Sequence, residues 1–265
     1  MRVRSPIDSA AIEYTIMGQG PDVVLLHPFP VTHAFWLPIA ERLAHRYRLI
    51  LPDLRGHGAS VPGDGPAMMA KHAADILAVC RDAKVTRAVF VGVSIGGYIL
   101  FELWRTDRNT VRALILADTR ASADTPEARA TRLQSADDVL VRGPDAFLDG
   151  LLPKLVGETT RRNRPDIAST IRRLMQQTPA GIAAVQRGMA GRPDSVATLA
   201  TINVPTLVLA GSEDVLTPVA DAQTMHQKIS GATLHVIPEA GHYALYEKPE
   251  DGHRLVRTFL DGLPS

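Results

Sequence analysis

The sequence predicts an α/β protein, in which a mostly parallel eight-stranded sheet is covered by helices on both faces and interrupted once by a helical insertion. Two observations carry this. Short runs rich in Val, Ile and Leu alternate with longer stretches of helical period. The alternation stops between Asp118 and Val204, where amphipathic helical patterns punctuated by Pro and Gly replace any strand run. The first strand candidates, Val3 to Ile7 and Ile12 to Met17, read as an antiparallel edge. Val23 to His27, Arg48 to Leu51, Ala88 to Val91, Ala113 to Ala117, Thr206 to Ala210 and Leu234 to Ile237 follow. Helices between them start near His33, Ala67, Ile95, Pro218 and Lys248, so each later strand has a possible crossover. Within the insertion, Thr125 caps a helix opening at Pro126, and Pro144, Pro165 and Pro179 mark later starts. Its apolar faces are Leu133, Phe147, Leu151, Leu155, Ile171, Leu174, Met175, Ile182, Val185 and Met189, which pack on one another and as a set would roof a pocket.

Composition excludes several function classes. The chain has 265 residues, enough for a full-sized core, with 29 basic against 28 acidic side chains. It therefore lacks the strong field that would hold a nucleic acid or an anionic membrane. The single cysteine, Cys80, cannot form an internal disulfide and has no Cys/His cluster around it to suggest a metal. Met1 to Thr15 has no apolar stretch of signal-peptide length, and no run is long enough to span a bilayer. The expectation is a cytoplasmic protein. No internal repeat or low-complexity run is present.

The strongest chemical signal is Gly92-Val93-Ser94-Ile95-Gly96-Gly97, directly after an apolar strand run and directly before a helical stretch. That is G-x-S-x-G in a strand, turn and helix context. Glycines are needed because a nucleophile raised on so sharp a turn leaves no room for flanking β-carbons. Ser94 would be exposed at the carboxyl end of the sheet, and the following helix would point its amino terminus at the charge developing on a substrate.

A serine hydroxyl is a poor nucleophile at neutral pH, so it needs a base and a group to orient that base. Of nine histidines, His242 stands out, because it follows the last strand in Pro238-Glu239-Ala240-Gly241-His242. His33, His45, His72, His226 and His253 fall on helical or surface stretches and His235 within the last strand, where packed or solvated roles suffice. His27 and His57 compete by position but read as loop structure. For the acid, Asp214 follows the strand Thr206 to Ala210 and gives the chain order Ser, Asp, His. Asp118, which also ends a strand, is the rival. Glu213 ranks below both, and Asp53 reads as a loop hydrogen-bonder.

Acyl transfer also needs donors for the oxyanion, each worth about 3 to 4 kcal/mol in the transition state. One is the Ile95 N–H. The second comes from Pro28-Phe29-Pro30, where Phe29 alone has an N–H to give.

Taken together, these segments resemble the α/β-hydrolase superfamily, specifically its small bacterial serine esterases and 3-oxoadipate enol-lactonase-like members. The resemblance covers nearly the whole chain. It rests on Leu26-His27-Pro28-Phe29-Pro30, on Asp53-Leu54-Arg55-Gly56-His57-Gly58-Ala59-Ser60, on Gly92 to Gly97, on Pro205 to Asp214 and on Ala240-Gly241-His242. It implies a helical cap between the sixth and seventh core strands, hence a core over 1–118, a cap over 119–203 and the rest of the core over 204–265. One departure is His27-Pro28-Phe29 where relatives have His-Gly-x, which stiffens the donor loop. Pro30 is similar to what cofactor-free perhydrolases have at this point. The serine argues against the aspartate-nucleophile dehalogenases and epoxide hydrolases.

The expected activity is hydrolysis of a small to medium carboxylic ester or lactone through an acyl-enzyme, with no metal or organic cofactor. Phe29, Val93, Ile95, Tyr243 and the apolar cap faces would give a pocket for a modest apolar substrate. An enol-lactonase, a C–C bond hydrolase and a perhydrolase could use the same groups. Outside the enzyme class, a ligand receptor or regulator on the same fold remains the alternative. Oligomeric state is not legible, and a homo-oligomer stays open.

Overall fold

The computed structural model describes residues 1–264. Eight strands form one sheet: β1 (Arg2–Arg4), β2 (Ala11–Met17), β3 (Asp22–Leu26), β4 (Arg48–Pro52), β5 (Ala88–Val93), β6 (Val111–Ala117), β7 (Thr206–Gly211) and β8 (Thr233–Ile237). Their spatial order is β1-β2-β4-β3-β5-β6-β7-β8. The antiparallel edge read from the sequence is present, since β2 runs antiparallel to both β1 and β4, and every pair from β4 onward is parallel. Every residue of β5 and β7 is buried, which is why these strands read as unbroken apolar runs and not as alternation. β1 is shorter than expected. The chain turns at Ser5, whose carbonyl accepts from Ser9 N at 3.0 Å, and Pro6 has no N–H to extend a ladder.

The helices outside the insertion are α1 (Leu37–Leu43), α2 (Met69–Asp82), α3 (Ile95–Thr106) and, after the insertion, α10 (Val219–Lys228), α11 (Ala244–Glu247) and α12 (Pro249–Asp261). Between β6 and β7 lie α4 (Pro126–Arg142), α5 (Asp145–Leu155), α6 (Glu158–Asn163), α7 (Pro165–Leu174), α8 (Pro179–Ala190) and α9 (Val196–Leu199). The cap read from the sequence is present, with Thr125 Oγ1 accepting from Ala128 N at 3.2 Å, and Thr178 Oγ1 caps α8 in the same way, accepting from Gly181 N at 3.1 Å. Helix α6 had no sequence signal, because its six residues, ETTRRN, contain no apolar period. It is held from outside, by Glu213 accepting from Thr159 N at 2.9 Å. Among the described residues no helix is long and apolar enough to cross a membrane.

Three histidines, His27, His57 and His72, are buried beneath the carboxyl edge of the sheet, with the His27 and His57 rings 5.0 Å apart. Burial pushes His27 down to about 4 and His57 to about 3, and drives His72 well below its ordinary value. Both ring nitrogens of His72 lack a hydrogen-bond partner among the described residues. A histidine kept neutral by the fold but protonated in the unfolded chain contributes stability that is whole above its unfolded pKa, about 6.5, and drains as pH falls. From pH 7 to pH 5 this linkage removes about 2 kcal/mol per such group. His72→Leu is therefore expected to lose about 2 kcal/mol less unfolding free energy than the wild type over that interval, measured by urea titration at both pH values. Equal losses would mean that His72 carries a proton inside the fold.

Candidate active site

Ser94 sits between β5 and α3 with φ 54° and ψ −114°, a region costing about 1 to 3 kcal/mol for a residue with a β-carbon. Its own backbone is what pins it. Ser94 N donates to Ala117 O at 3.1 Å, and Ser94 O accepts from Gly97 N at 2.9 Å and from Thr119 Oγ1 at 2.7 Å. The glycines on either side are steric necessities: a β-carbon on Gly92 would lie 2.5 Å from the Gly96 carbonyl carbon, and one on Gly96 would lie 2.6 Å from Leu26 O. Ile95 is the first residue of α3, so its N–H has no acceptor within the helix.

His242 leaves the loop after β8, and its Nδ1 lies 2.8 Å from Asp214 Oδ2. Asp214 is held tightly, with Oδ1 accepting from Leu216 N at 2.8 Å and Thr217 N at 3.0 Å, and Oδ2 from Thr217 Oγ1 at 2.6 Å. Burial pushes its carboxyl up, but His242 and the Thr217 donors outweigh burial and hold it below the ordinary carboxylate value. Asp118, the rival acid, makes no such contact. Its Oδ1 accepts from Gly211 N at 2.8 Å, its Oδ2 is buried without a partner among the described residues, and burial with the nearby Asp214 charge drives its carboxyl well above the ordinary value. The loop bearing His242 is fastened by Glu247, which accepts from Gly241 N at 2.9 Å and from Gly157 N, at the start of α6, at 3.0 Å. Nothing in the sequence pointed to Glu247, since its partners are backbone amides distant along the chain.

The competing histidines are occupied elsewhere. His27 Nε2 accepts from Leu54 N at 2.9 Å, so the proton is on Nδ1, which faces Pro28 O at 2.9 Å. His57 Nδ1 faces Arg55 O at 3.1 Å. Asp53 is the loop hydrogen-bonder expected, accepting from His33 N at 2.9 Å and Ala59 N at 3.1 Å. Glu213 is turned to α6.

Ser94 and His242 line one cavity of about 90 Å³ together with Phe29, Tyr98, Leu216 and Thr217. The inserted helices and the loop after β6 supply the other wall, Arg120, Arg132, Leu151, Leu155, Gln186 and Met189. No hydrogen bond joins Ser94 to His242 among the described residues; such contacts are often loose before substrate binds. Three residues expected in the pocket are not there, and one of them, Ile95, is fully buried at the start of α3. Val93 is buried within β5, where its side chain packs in the sheet. Tyr243 is fully buried, its ring stacked on His242 at 5.9 Å and its hydroxyl donating to Phe29 O at 2.8 Å, so it braces both His242 and the Pro28-Phe29-Pro30 loop. The expected apolar lining is corrected as well. Of the apolar cap residues named from the sequence, Leu151, Leu155 and Met189 reach the cavity, while Leu133 is exposed and Ile171, Met175, Ile182 and Val185 are buried in packing. Two arginines and a glutamine stand beside them.

Residues 23–254 match the model of the alpha/beta hydrolase family. The chain belongs to that family. In this hydrolase the match takes in the strained serine, its flanking glycines, Asp214 and His242. A thermophilic esterase from Thermogutta terrifontis, solved with malate bound, superposes with a TM-score of 0.96 at 35% identity over 100% of both chains. A pimeloyl-[acyl-carrier protein] methyl ester esterase from Xanthomonas campestris is 30% identical over 94% of this chain and 98% of its own. 3-Oxoadipate enol-lactonase 2 of Acinetobacter baylyi is 29% identical over 94% and 93%. These relatives are hydrolases of ester bonds, and the hydrolase described here is an enzyme of that class.

Proposed function

We propose that this hydrolase cleaves small carboxylic esters or lactones by a serine, histidine and aspartate relay under a cap formed by residues 119–203. The observation that carries the reading is the 2.8 Å pairing of His242 with Asp214 beside a cavity that His242 shares with Ser94. With Nδ1 donating to Asp214, His242 presents a bare Nε2 to the cavity. Ser94 Oγ attacks the substrate carbonyl carbon while Nε2 takes its proton. The carbonyl electron pair moves to oxygen, and the oxyanion is held by the N–H groups of Ile95 and Phe29. Collapse breaks the C–O bond to the alcohol, which leaves with the proton from Nε2. Water then adds to the acyl-enzyme by the same path and releases the acid, or the hydroxy acid from a lactone. The esterase name of the Thermogutta relative and the lactonase and methyl ester esterase names of the others support this substrate range.

A fluorophosphonate probe is expected to label the wild type once per chain, at Ser94. A panel of nitrophenyl esters of graded acyl length, with a lactone and a diketone added, is expected to be turned over at its short ester and lactone members only. An unlabelled wild type, or turnover of the diketone alone, would overturn the reading.

A further inference from the structure

We infer that Tyr243 is a positioning residue: by holding the Phe29 carbonyl, its hydroxyl aims the Phe29 N–H at the oxyanion and keeps that donor in register with His242. The inference rests on the Ser94 chemistry proposed above and names the side chain that sets one of its two donors.

The loop that carries the donor has few means of being fastened. Pro28 and Pro30 have no N–H, and the Phe29 N–H finds no acceptor among the described residues. Carbonyls are what remain to grip. The peptide from Pro28 to Phe29 carries the donor, and its carbonyl, Pro28 O, is held by His27 Nδ1 at 2.9 Å and by Val31 N at 3.3 Å. Both bonds end on one atom and leave the plane free to pivot about it. The Phe29 ring meets His57 at 5.7 Å and Phe147 at 6.2 Å, apolar contacts that centre the side chain without directing the peptide. A second anchor lies across the Phe29 Cα. The peptide from Phe29 to Pro30 has its carbonyl as its one polar handle, and Tyr243 Oη donates to it at 2.8 Å. Two anchored planes flanking one Cα fix the direction of the N–H between them.

Tyr243 is itself held on every side. It is fully buried, its ring meets Phe35 edge-on at 5.2 Å, and its N–H donates to Leu155 O of the inserted helices at 3.0 Å. Its carbonyl accepts from Tyr246 N at 2.8 Å and from Glu247 N at 2.9 Å. Burial drives its phenol well above the ordinary value, so the proton it donates stays on oxygen wherever an imidazole can act as a base. His242 directly precedes it, with the two rings stacked at 5.9 Å. Two consecutive residues therefore place both the imidazole and the amide that complements the oxyanion. Such donors act because they need no reorganisation at the moment of reaction, and a peptide free to swing loses that advantage.

The test is Tyr243→Phe, which keeps the ring and removes one hydroxyl. Tyr47→Phe is the matched control, since Tyr47 is also buried and its hydroxyl donates to Asp261 of α12. Each enzyme is measured for kcat and KM on nitrophenyl acetate, and for inhibition by a short trifluoromethyl ketone and by the alcohol of the same skeleton. Ser94 Oγ adds to the ketone carbon, its proton passes to His242 Nε2, and the carbonyl pair becomes an oxyanion facing the donors; the alcohol fills the cavity without reacting. Tyr243→Phe is expected to lower kcat and the preference for ketone over alcohol together, by about 10- to 100-fold, with KM within about 2-fold of the wild type. Tyr47→Phe is expected to change neither. A Tyr243→Phe enzyme with the wild-type preference would overturn the inference, while turnover by the wild type would leave the esterase reading intact. Equal losses in both variants would also overturn it, as a general loosening, and so would a Tyr243→Phe chain that does not fold, since the hydroxyl would then serve the fold and not the donor. If the wild type neither hydrolyses nitrophenyl acetate nor prefers the ketone, the esterase reading fails and the inference falls with it.

Discussion

Ser94→Ala is expected to lower kcat on nitrophenyl acetate by about a million-fold while leaving the urea midpoint of unfolding unchanged. The two halves of this outcome have separate causes. The hydrogen bonds that hold the strained turn run through the Ser94 backbone, to Ala117 O and from Gly97 N and Thr119 Oγ1, and alanine keeps all of them. Alanine also has the same β-carbon, so the cost of φ 54° is the same in both proteins. What disappears is the oxygen proposed to form the acyl-enzyme. The Ile95 and Phe29 amides would still stabilise an oxyanion made by direct attack of water, so a small residual rate remains. The measurement is turnover at high enzyme concentration, with fluorophosphonate titration to subtract any wild-type contamination. A variant that keeps more than about a hundredth of the wild-type kcat would move the nucleophile elsewhere.

Asp214→Asn is expected to cost about ten-thousand-fold in kcat, and Asp118→Asn only a few-fold. At position 214 the amide oxygen must stay where Oδ1 accepts two backbone N–H groups, from Leu216 and Thr217. The amide NH2 then falls at Oδ2, facing His242 Nδ1. To accept from it, His242 has to place its own proton on Nε2, the nitrogen that should be bare for Ser94. The base is still present but in the wrong tautomer. At position 118 burial and the Asp214 charge push the carboxyl well above its ordinary value, and its hydrogen bond goes to Gly211 N, not to His242, so an amide of nearly the same shape leaves the pairing of His242 with Asp214 intact. A steady-state comparison of the two variants on one nitrophenyl ester decides between them; a larger loss in Asp118→Asn would reverse the assignment of the acid.

The turn around Ser94 was legible because its sequence signature lies within six residues. A buried strand, a helix start and the contact of Gly92 with Gly96 are local facts, while Gly96 is forced by Leu26 of the neighbouring β3. The apolar runs of β3 to β7 were legible for a related reason: a strand covered on both faces has to be apolar along its whole length. His242 and Asp214 were legible by position, each following a strand run whose end lies at the carboxyl edge. Tyr243 was misread because sequence adjacency to His242 says nothing of which way the ring points. Glycine and apolar periodicity also missed α6, whose polar residues are held by Glu213.

What the sequence by itself determined about this hydrolase is its sheet, the strained serine and the order in which serine, acid and histidine arrive. Only the tertiary structure decided which acid meets the imidazole and what charge the cavity carries. Arg120, Arg132 and Gln186 are ordinary surface residues in the sequence, and they acquire meaning when helices folded back over the sheet trap them beside Ser94. Local sterics act between neighbours in the chain and can be read from it. Electrostatic surroundings are summed over everything nearby in space, and that sum exists only after the chain has folded.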